Sequence, residues 1–366
     1  MKTLQRAAVA VSLGLMVCVG AHADVLNMGP GLTSLETVYV GNAGNEGEPI
    51  KPMYDGDPTY IPGKTYGGVD YAYRIGTYEV TSGQYAEFLN AVAATDPFSL
   101  YSTAMMDPAG RGCMIIREGA SGSYTYSVAE DQANRPVTHV SFGDAARFAN
   151  WLHNGQPIDE QGLSTTEDGA YFLNGAMTKA ELLSVTREAD WTWAITSDDE
   201  WYKAAYHKNN GVTGDYYYYP TRSDTKPGYV SDELGIINPD PGNTATYDGD
   251  GHYWYEDGDG IGAPYWRTEV GEHENSASPY GTFDQGANVW EWTEGVSWGR
   301  GLRGGSYYDA YDGYTNSDRR LYLDPRQFSD HTGFRLVQAT PNHLPEPATL
   351  ALLALGGGAV VLRRRR

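Results

Sequence analysis

Glycine occupies 45 of the 366 positions and recurs with no fixed period. Glycine enters left-handed backbone freely, so such a chain is built from turns and close backbone approaches rather than long regular elements. The missing Gly-X-Y period excludes a collagen-like rod. The 29 tyrosines suit the same kind of interior, because a tyrosine buries its ring and still satisfies a hydroxyl where regular elements are few. The length allows one large domain or two ordinary ones. The formal charge of −21 argues against a nucleic-acid partner, since little in the chain would neutralise phosphates. It suits a secreted protein, or one that holds cations.

Both ends read as addresses. Residues 1–23 have a basic start at Lys2 and Arg6, an apolar stretch from Ala7 to Gly20, and Ala21-His22-Ala23 as a small-x-small cleavage site. This pattern predicts a secretory signal peptide cut before Asp24. Cys18 leaves with it, so Cys113 remains alone and no intramolecular disulfide can form. At the other end, residues 344–366 carry Pro345-Glu346-Pro347, an apolar run and Arg363 to Arg366. As a helix the run spans about 23 Å, short of the ~30 Å hydrocarbon core, with the arginines cytoplasmic. The three parts in this order resemble the PEP-CTERM sorting signal of Gram-negative bacteria. That resemblance implies transient inner-membrane anchoring, an exosortase-type sorting enzyme as partner, and a final place at the cell surface or in the extracellular matrix.

Residues 24–66 are a Gly/Pro-rich extension that reads as loop and turn. From Tyr71 the pattern sharpens into one domain over 67–340. "YAYRIGTYEV" alternates like a strand. Thr81 and Gln84 then have capping-box spacing, and Tyr85, Phe88, Leu89 and Val92 lie on one helical face. A short strand is expected to reach Val140, followed by a helix capped by Ser141, striped by Ala145, Phe148 and Leu152, and ended at Gly155. A third helix starts at the Ser197 and Glu200 box, turns Trp201, Ala204 and Ala205 inward, and stops at Gly211. Only these three helices are clear.

Four segments in order bring a family into view: "IGTYEVTSGQYAEFLNAV" (75–92), "RPVTHVSFGDAARFANWL" (135–152), "YGTFDQGANVWEWTE" (280–294) and "LRGGSYYD…TGFRLV" (302–337). Together they resemble the formylglycine-generating enzyme (sulfatase-modifying factor) family over roughly residues 70–338. The resemblance implies a single irregular α+β domain, loop-rich and with few helices, on that family's C-type-lectin-like core. It also implies calcium. One set of ligands would be Asp284, the carbonyls of Ala287 and Val289, and Glu291. A second would be Asn243, the Thr244 carbonyl, Asp259 and the Ile261 carbonyl, in a loop longer than the family's. Mixed carboxylate and carbonyl oxygens suit a hard cation.

Family members that oxidise a substrate cysteine bind copper(I) through two cysteines after the Arg-Gly-Gly-Ser turn. The matching positions here are Asp309 and Tyr314. Oxygen ligands are hard and hold Cu(I) poorly, so copper is not expected, and no catalytic residue is assigned beyond the family-equivalent positions Asp309, Tyr314, Ser306 and Trp290. The histidines are scattered singly, and no nucleophile elbow, P-loop or dinucleotide fingerprint occurs. Asp309, Asp312, Asp318 and Asp324 form a carboxylate-rich segment, read as a solvated loop. Tyr307, Tyr308, Tyr311 and Tyr314 are ligand-binding candidates, since rings beside carboxylates stack on sugars or peptides, although they suit a core equally. The expectation is an exported, calcium-stabilised binding or interaction protein with a glycan or protein ligand. The alternative is a diverged metal-dependent oxidoreductase.

Overall fold

The structure, a computed structural model, describes residues 35–52, 55–107, 109, 111–229, 240–247, 261–309 and 314–340. The expected signal peptide and C-terminal sorting segment, Asp259, Tyr311 and Asp312 lie outside them. In chain order come β1 (Thr37–Val40), β2 (Glu48–Pro49), β3 (Thr65–Tyr66), β4 (Tyr73–Gly76) and helix α1 (Ser82–Val92). Strands β5 (Ile115–Glu118) and β6 (Thr125–Val128) precede helices α2 (Glu130–Ala133), α3 (Phe142–His153) and α4 (Lys179–Ser184). Then follow β7 (Trp193–Ile195), α5 (Asp198–Tyr206), β8 (Gly228–Tyr229) and β9 (Thr244–Ala245). The last strands are β10 (Trp290–Val296), β11 (Arg300–Arg303), β12 (Leu321–Leu323), β13 (Thr332–Gly333) and β14 (Leu336–Ala339).

The three expected helices start where the sequence places them. Reciprocal capping boxes pair Thr81 with Gln84, Ser141 with Asp144, and Ser197 with Glu200. Each satisfies amide donors that a helix start leaves without partners. The stripes they launch meet in one aromatic cluster. Phe88 and Phe148 pack edge-on at 5.2 Å, and Phe148 meets Phe334 at 5.5 Å. All three are fully buried, and removing such a ring to Ala costs about 3–5 kcal/mol.

Two four-stranded sheets frame this core, in the orders β1-β4-β14-β7 and β12-β11-β10-β13. The first is antiparallel throughout. In the second, β10 and β11 form a hairpin, while β13 runs parallel to β10 with Trp290 opposite Thr332. That parallel pair brings residues 330–331 beside Trp290.

Four sequence expectations need correction. Residues 37–40, expected as loop, form β1 and pair with β4. The strand expected to reach Val140 is only an isolated bridge between Thr81 and Pro136. Proline offers no amide, and His139 turns left-handed at φ 59°, so no ladder can continue. Helix α5 ends at Tyr206 with His207 as its cap, ahead of Gly211. Helices α2 and α4 were not expected; at 4 and 6 residues they are too short to show a helical period.

Candidate functional site

The turn after β11 sets the site. Gly304 and Gly305 are left-handed, at φ 101° and 78°. A Cβ on Gly304 would lie 3.0 Å from the Gln285 carbonyl oxygen, and one on Gly305 would lie 3.1 Å from that of Tyr314. Only glycine fits both angle and space. The turn delivers Ser306, fully buried, whose backbone N–H and hydroxyl both donate to Asp309 Oδ2 at 2.7 Å. Burial raises the Asp309 carboxyl, against the Ser306 bonds and the nearby His331 and Trp290.

Beside this turn lies a layered stack. The Arg111 guanidinium sits 4.9 Å from the Trp266 ring and 5.2 Å from the Tyr308 ring. Tyr308 in turn stacks on His331 at 5.6 Å and 13°. Asp330 ties the layers together. It accepts from Arg111 at 3.0 Å, from the Tyr307 hydroxyl at 3.1 Å, and pairs with His331 Nδ1 at 2.8 Å. Burial alone would raise the Asp330 carboxyl; His331, Tyr307 and Arg111 instead hold it well below the usual carboxylate range. Fully buried Arg267 fixes the frame by donating to the carbonyls of Arg111, Gly112 and Asp330. Arg111, Trp266, Tyr308, Asp330 and His331 are all half-buried, so the edge of the stack meets solvent.

Of the residues named from sequence, the structure brings Ser306, Asp309, Trp290, Tyr307, Tyr308 and Tyr314 to this region. Trp290 is buried and packs edge-on to Tyr314 at 5.8 Å. Tyr307 is buried too, while Tyr308 and Tyr314 are half-buried. Asp318 and Asp324 do not join: Asp318 accepts from the Lys51 amide and the Tyr218 hydroxyl, and Asp324 pairs with Arg326. Arg111, Trp266, Asp330 and His331 escaped sequence reasoning. The only signal was Asp330-His331 directly before the Thr-Gly-Phe-Arg element.

The residues expected to hold calcium differ in how far protein groups engage them. Glu291, fully buried, receives Arg335 on both oxygens, at 2.6 and 2.7 Å, and the Trp201 indole at 2.7 Å. Asp284 Oδ2 accepts the Gly271 amide at 2.6 Å. Ala287 and Val289 are fully buried, and Asp284, Ala287 and Asn288 are all left-handed, which makes this loop irregular. Asn243 spends its side chain on Thr221, Thr225 and Lys226. Thr244 and Asp284 line one cavity of about 10 Å³ with His273 and Ser276, room for about one water-sized species. Ile261 is buried.

Around the Asp284 loop the charges do not balance. Glu79 and Glu291 are buried and Asp284 half-buried around one guanidinium, Arg335. Desolvation, then Asp284 and Glu291, push the Glu79 carboxyl well up. Glu79 Oε1 and Asn288 Oδ1 are buried without hydrogen-bond partners. Among the described residues no three Asp, Glu, His or Cys side chains form a metal-holding group. The oxygens open to a hard cation here are those of Asp284 and the two orphaned ones of Glu79 and Asn288. Copper(I) does not fit. Asp309 and Tyr314 offer only oxygen, and Cys113 is a buried thiol 3.5 Å from the Thr138 carbonyl, its pKa raised by burial.

The sulfatase-modifying factor enzyme 1-like domain model matches residues 56–340. The chain belongs to this family. The sulfatase-modifying factor domain thus takes in the Ser306 turn, the stack and the Asp284 loop. Among solved structures, the family member described here is similar to Treponema denticola variable protein 1, at 17% identity and TM-score 0.47, covering 84% of this chain and 96% of that one. It is also similar to PvdO from Pseudomonas aeruginosa, at 17% and 0.44, covering 84% and 95%, and to CarF, at 16% and 0.43, covering 84% and 98%. No curated protein matches the chain.

Proposed function

We propose that this sulfatase-modifying factor domain is a binding module without redox chemistry, exported to the cell surface or extracellular matrix. The observation that carries the reading is Asp309. A carboxylate seated on Ser306 stands where the chemistry of the family calls for soft sulfur. Beside it, the Arg111, Tyr308 and His331 stack presents ring and guanidinium edges of the kind that hold sugars or peptides by stacking and charged hydrogen bonds. Asp330 keeps His331 and Arg111 in place.

A hard cation, calcium by its oxygen donors, would offset the excess carboxylates near Asp284 and stiffen that loop. Export rests on the signal-like start and the Pro-Glu-Pro, apolar and arginine segments of the end. Among the described residues no helix is long and apolar enough to cross a membrane. Elemental analysis of the purified protein tests the central reading. Calcium without stoichiometric copper or iron is the expected result; one equivalent of either transition metal would overturn it in favour of a diverged oxidoreductase. Mass spectrometry of the exported form, expected to begin at Asp24 and to lack the terminal arginines, tests the sorting.

A further inference from the structure

Arg320, on the approach to β12, is only 3% exposed, and none of its three guanidinium nitrogens has a hydrogen-bond partner. Two neighbours share the anomaly. Tyr66, at the end of β3, is fully buried with its hydroxyl unpaired, and Arg303, at the end of β11, is fully buried with Nη2 unpaired. The three lie together: Arg320 Cζ is 4.6 Å and Arg303 Cζ 4.9 Å from the centre of the Tyr66 ring. They come from three separate stretches of chain, so tertiary packing and not a local turn assembles them.

Charge is also out of balance. Arg303 is neutralised by Asp198 and gives Nη1 to the Arg319 carbonyl. Arg320 has only ring faces, those of Tyr66 and, at 5.6 Å, Tyr322. The buried guanidiniums of Arg147 and Arg335 meet carboxylates, and those of Arg267 and Arg300 donate to backbone carbonyls; Arg320 has neither kind of acceptor. The nearby acids are engaged elsewhere: Glu48 by the Tyr202 hydroxyl, Asp57 by Thr59, Asp318 by Lys51 and Tyr218. Burial lowers the Arg320 pKa, with Tyr322 and Asp57 acting against it.

What the cluster lacks is acceptors. A guanidinium offers five N–H groups and no lone pair, and a phenol adds one more donor. Water would satisfy some of these but would bring donors of its own and no charge. An oxyanion brings acceptors and the missing negative charge together, and the planar fork of arginine matches its oxygens. We propose that Arg320, Arg303 and Tyr66 form an internal site for one small oxyanion, of the carboxylate or phosphate class, where β3 meets β11 and the chain entering β12. The site is independent of the binding function proposed above. Its atoms have no contact with solvent, so the anion is acquired during folding and exchanges slowly.

The test refolds the purified protein from urea in chloride buffer, alone or with inorganic phosphate, sulfate or acetate at matched ionic strength, and records the thermal midpoint. One oxyanion is expected to raise the midpoint by about 5 °C beyond chloride at a hundredfold excess over its dissociation constant. A gain with phosphate or sulfate assigns a tetrahedral anion; a gain with acetate assigns a carboxylate. Arg320→Met is expected to unfold in chloride at the same or a higher temperature than the wild type, and to lose the gain. Arg320→Lys, with charge but no fork, keeps only part of it. The proposal is overturned if none of the three anions stabilises the wild type, or if Arg320→Met responds like the wild type. Should that variant not refold, ion chromatography of acid-denatured wild type decides: one equivalent of oxyanion supports the site and none overturns it.

Discussion

The family resemblance in the sequence leads one to expect a functional residue at both Glu291 and Asp309, and the fold uses the two in opposite ways. Glu291 sits inside a strand, out of contact with solvent, with Arg335 on both oxygens. Asp309 sits at a turn beside an open stack, with one oxygen on Ser306. The first is committed to the scaffold, because a buried carboxylate stripped of its guanidinium has nowhere to discharge. The second keeps its surroundings adjustable, because its neighbours Tyr308, Asp330 and His331 reach solvent. A motif therefore marks two different things in one chain, and only the burial of the partners tells them apart.

The largest effect should come from breaking the scaffold side. Arg335→Met strands Glu291 as an unpaired buried charge and is expected to cost about 3–5 kcal/mol in urea unfolding. Joint replacement of Glu291 and Arg335 by Met should recover most of that. A single-variant loss under about 1 kcal/mol would mean that Glu291 is available to a cation after all.

The next effect concerns pH. Burial raises the folded-state pKa of Asp309, so its stabilising contribution is complete below the unfolded value and is lost as pH rises through the folded one. Asp309→Asn, which can still accept from Ser306, should flatten that slope and gain about 1 kcal/mol at pH 7. Asp144, pushed up to about 6 by burial against its Ser141 bonds, adds a parallel slope. The Asp309 contribution is therefore read as the difference between the wild-type and variant curves; identical slopes would contradict it.

No larger is the stability cost of opening the stack. Arg111→Ala removes two ring contacts and the Asp330 pair, for about 1 kcal/mol, and should weaken binding to any ligand found on a glycan or peptide array at least tenfold. Tyr308→Ala should change stability by only about 0.5 kcal/mol yet lose the same binding. Unchanged binding in both variants would move the ligand away from the stack.

Much of this was legible in the sequence for a local reason. Capping boxes and helical stripes lie within a few residues of one another, and the glycines of the Arg-Gly-Gly-Ser turn mark their own backbone angles. The stack was not legible, since Arg111, Trp266, Tyr308 and His331 meet only after about two hundred residues of chain are folded between them. Nor was the partner of Glu291, since Arg335 lies 44 residues further along the chain and meets it only in the folded sheet. Strand β1 escaped because four residues in a Gly/Pro-rich stretch are too few to show alternation.

That strand has a practical consequence. The family match begins at residue 56, after β1. A protein trimmed to that boundary would leave β4 as a bare sheet edge, with Arg74 deprived of its Thr37 partners. Exposed edges recruit strands from other copies, so the trimmed form should aggregate where the longer one stays dispersed.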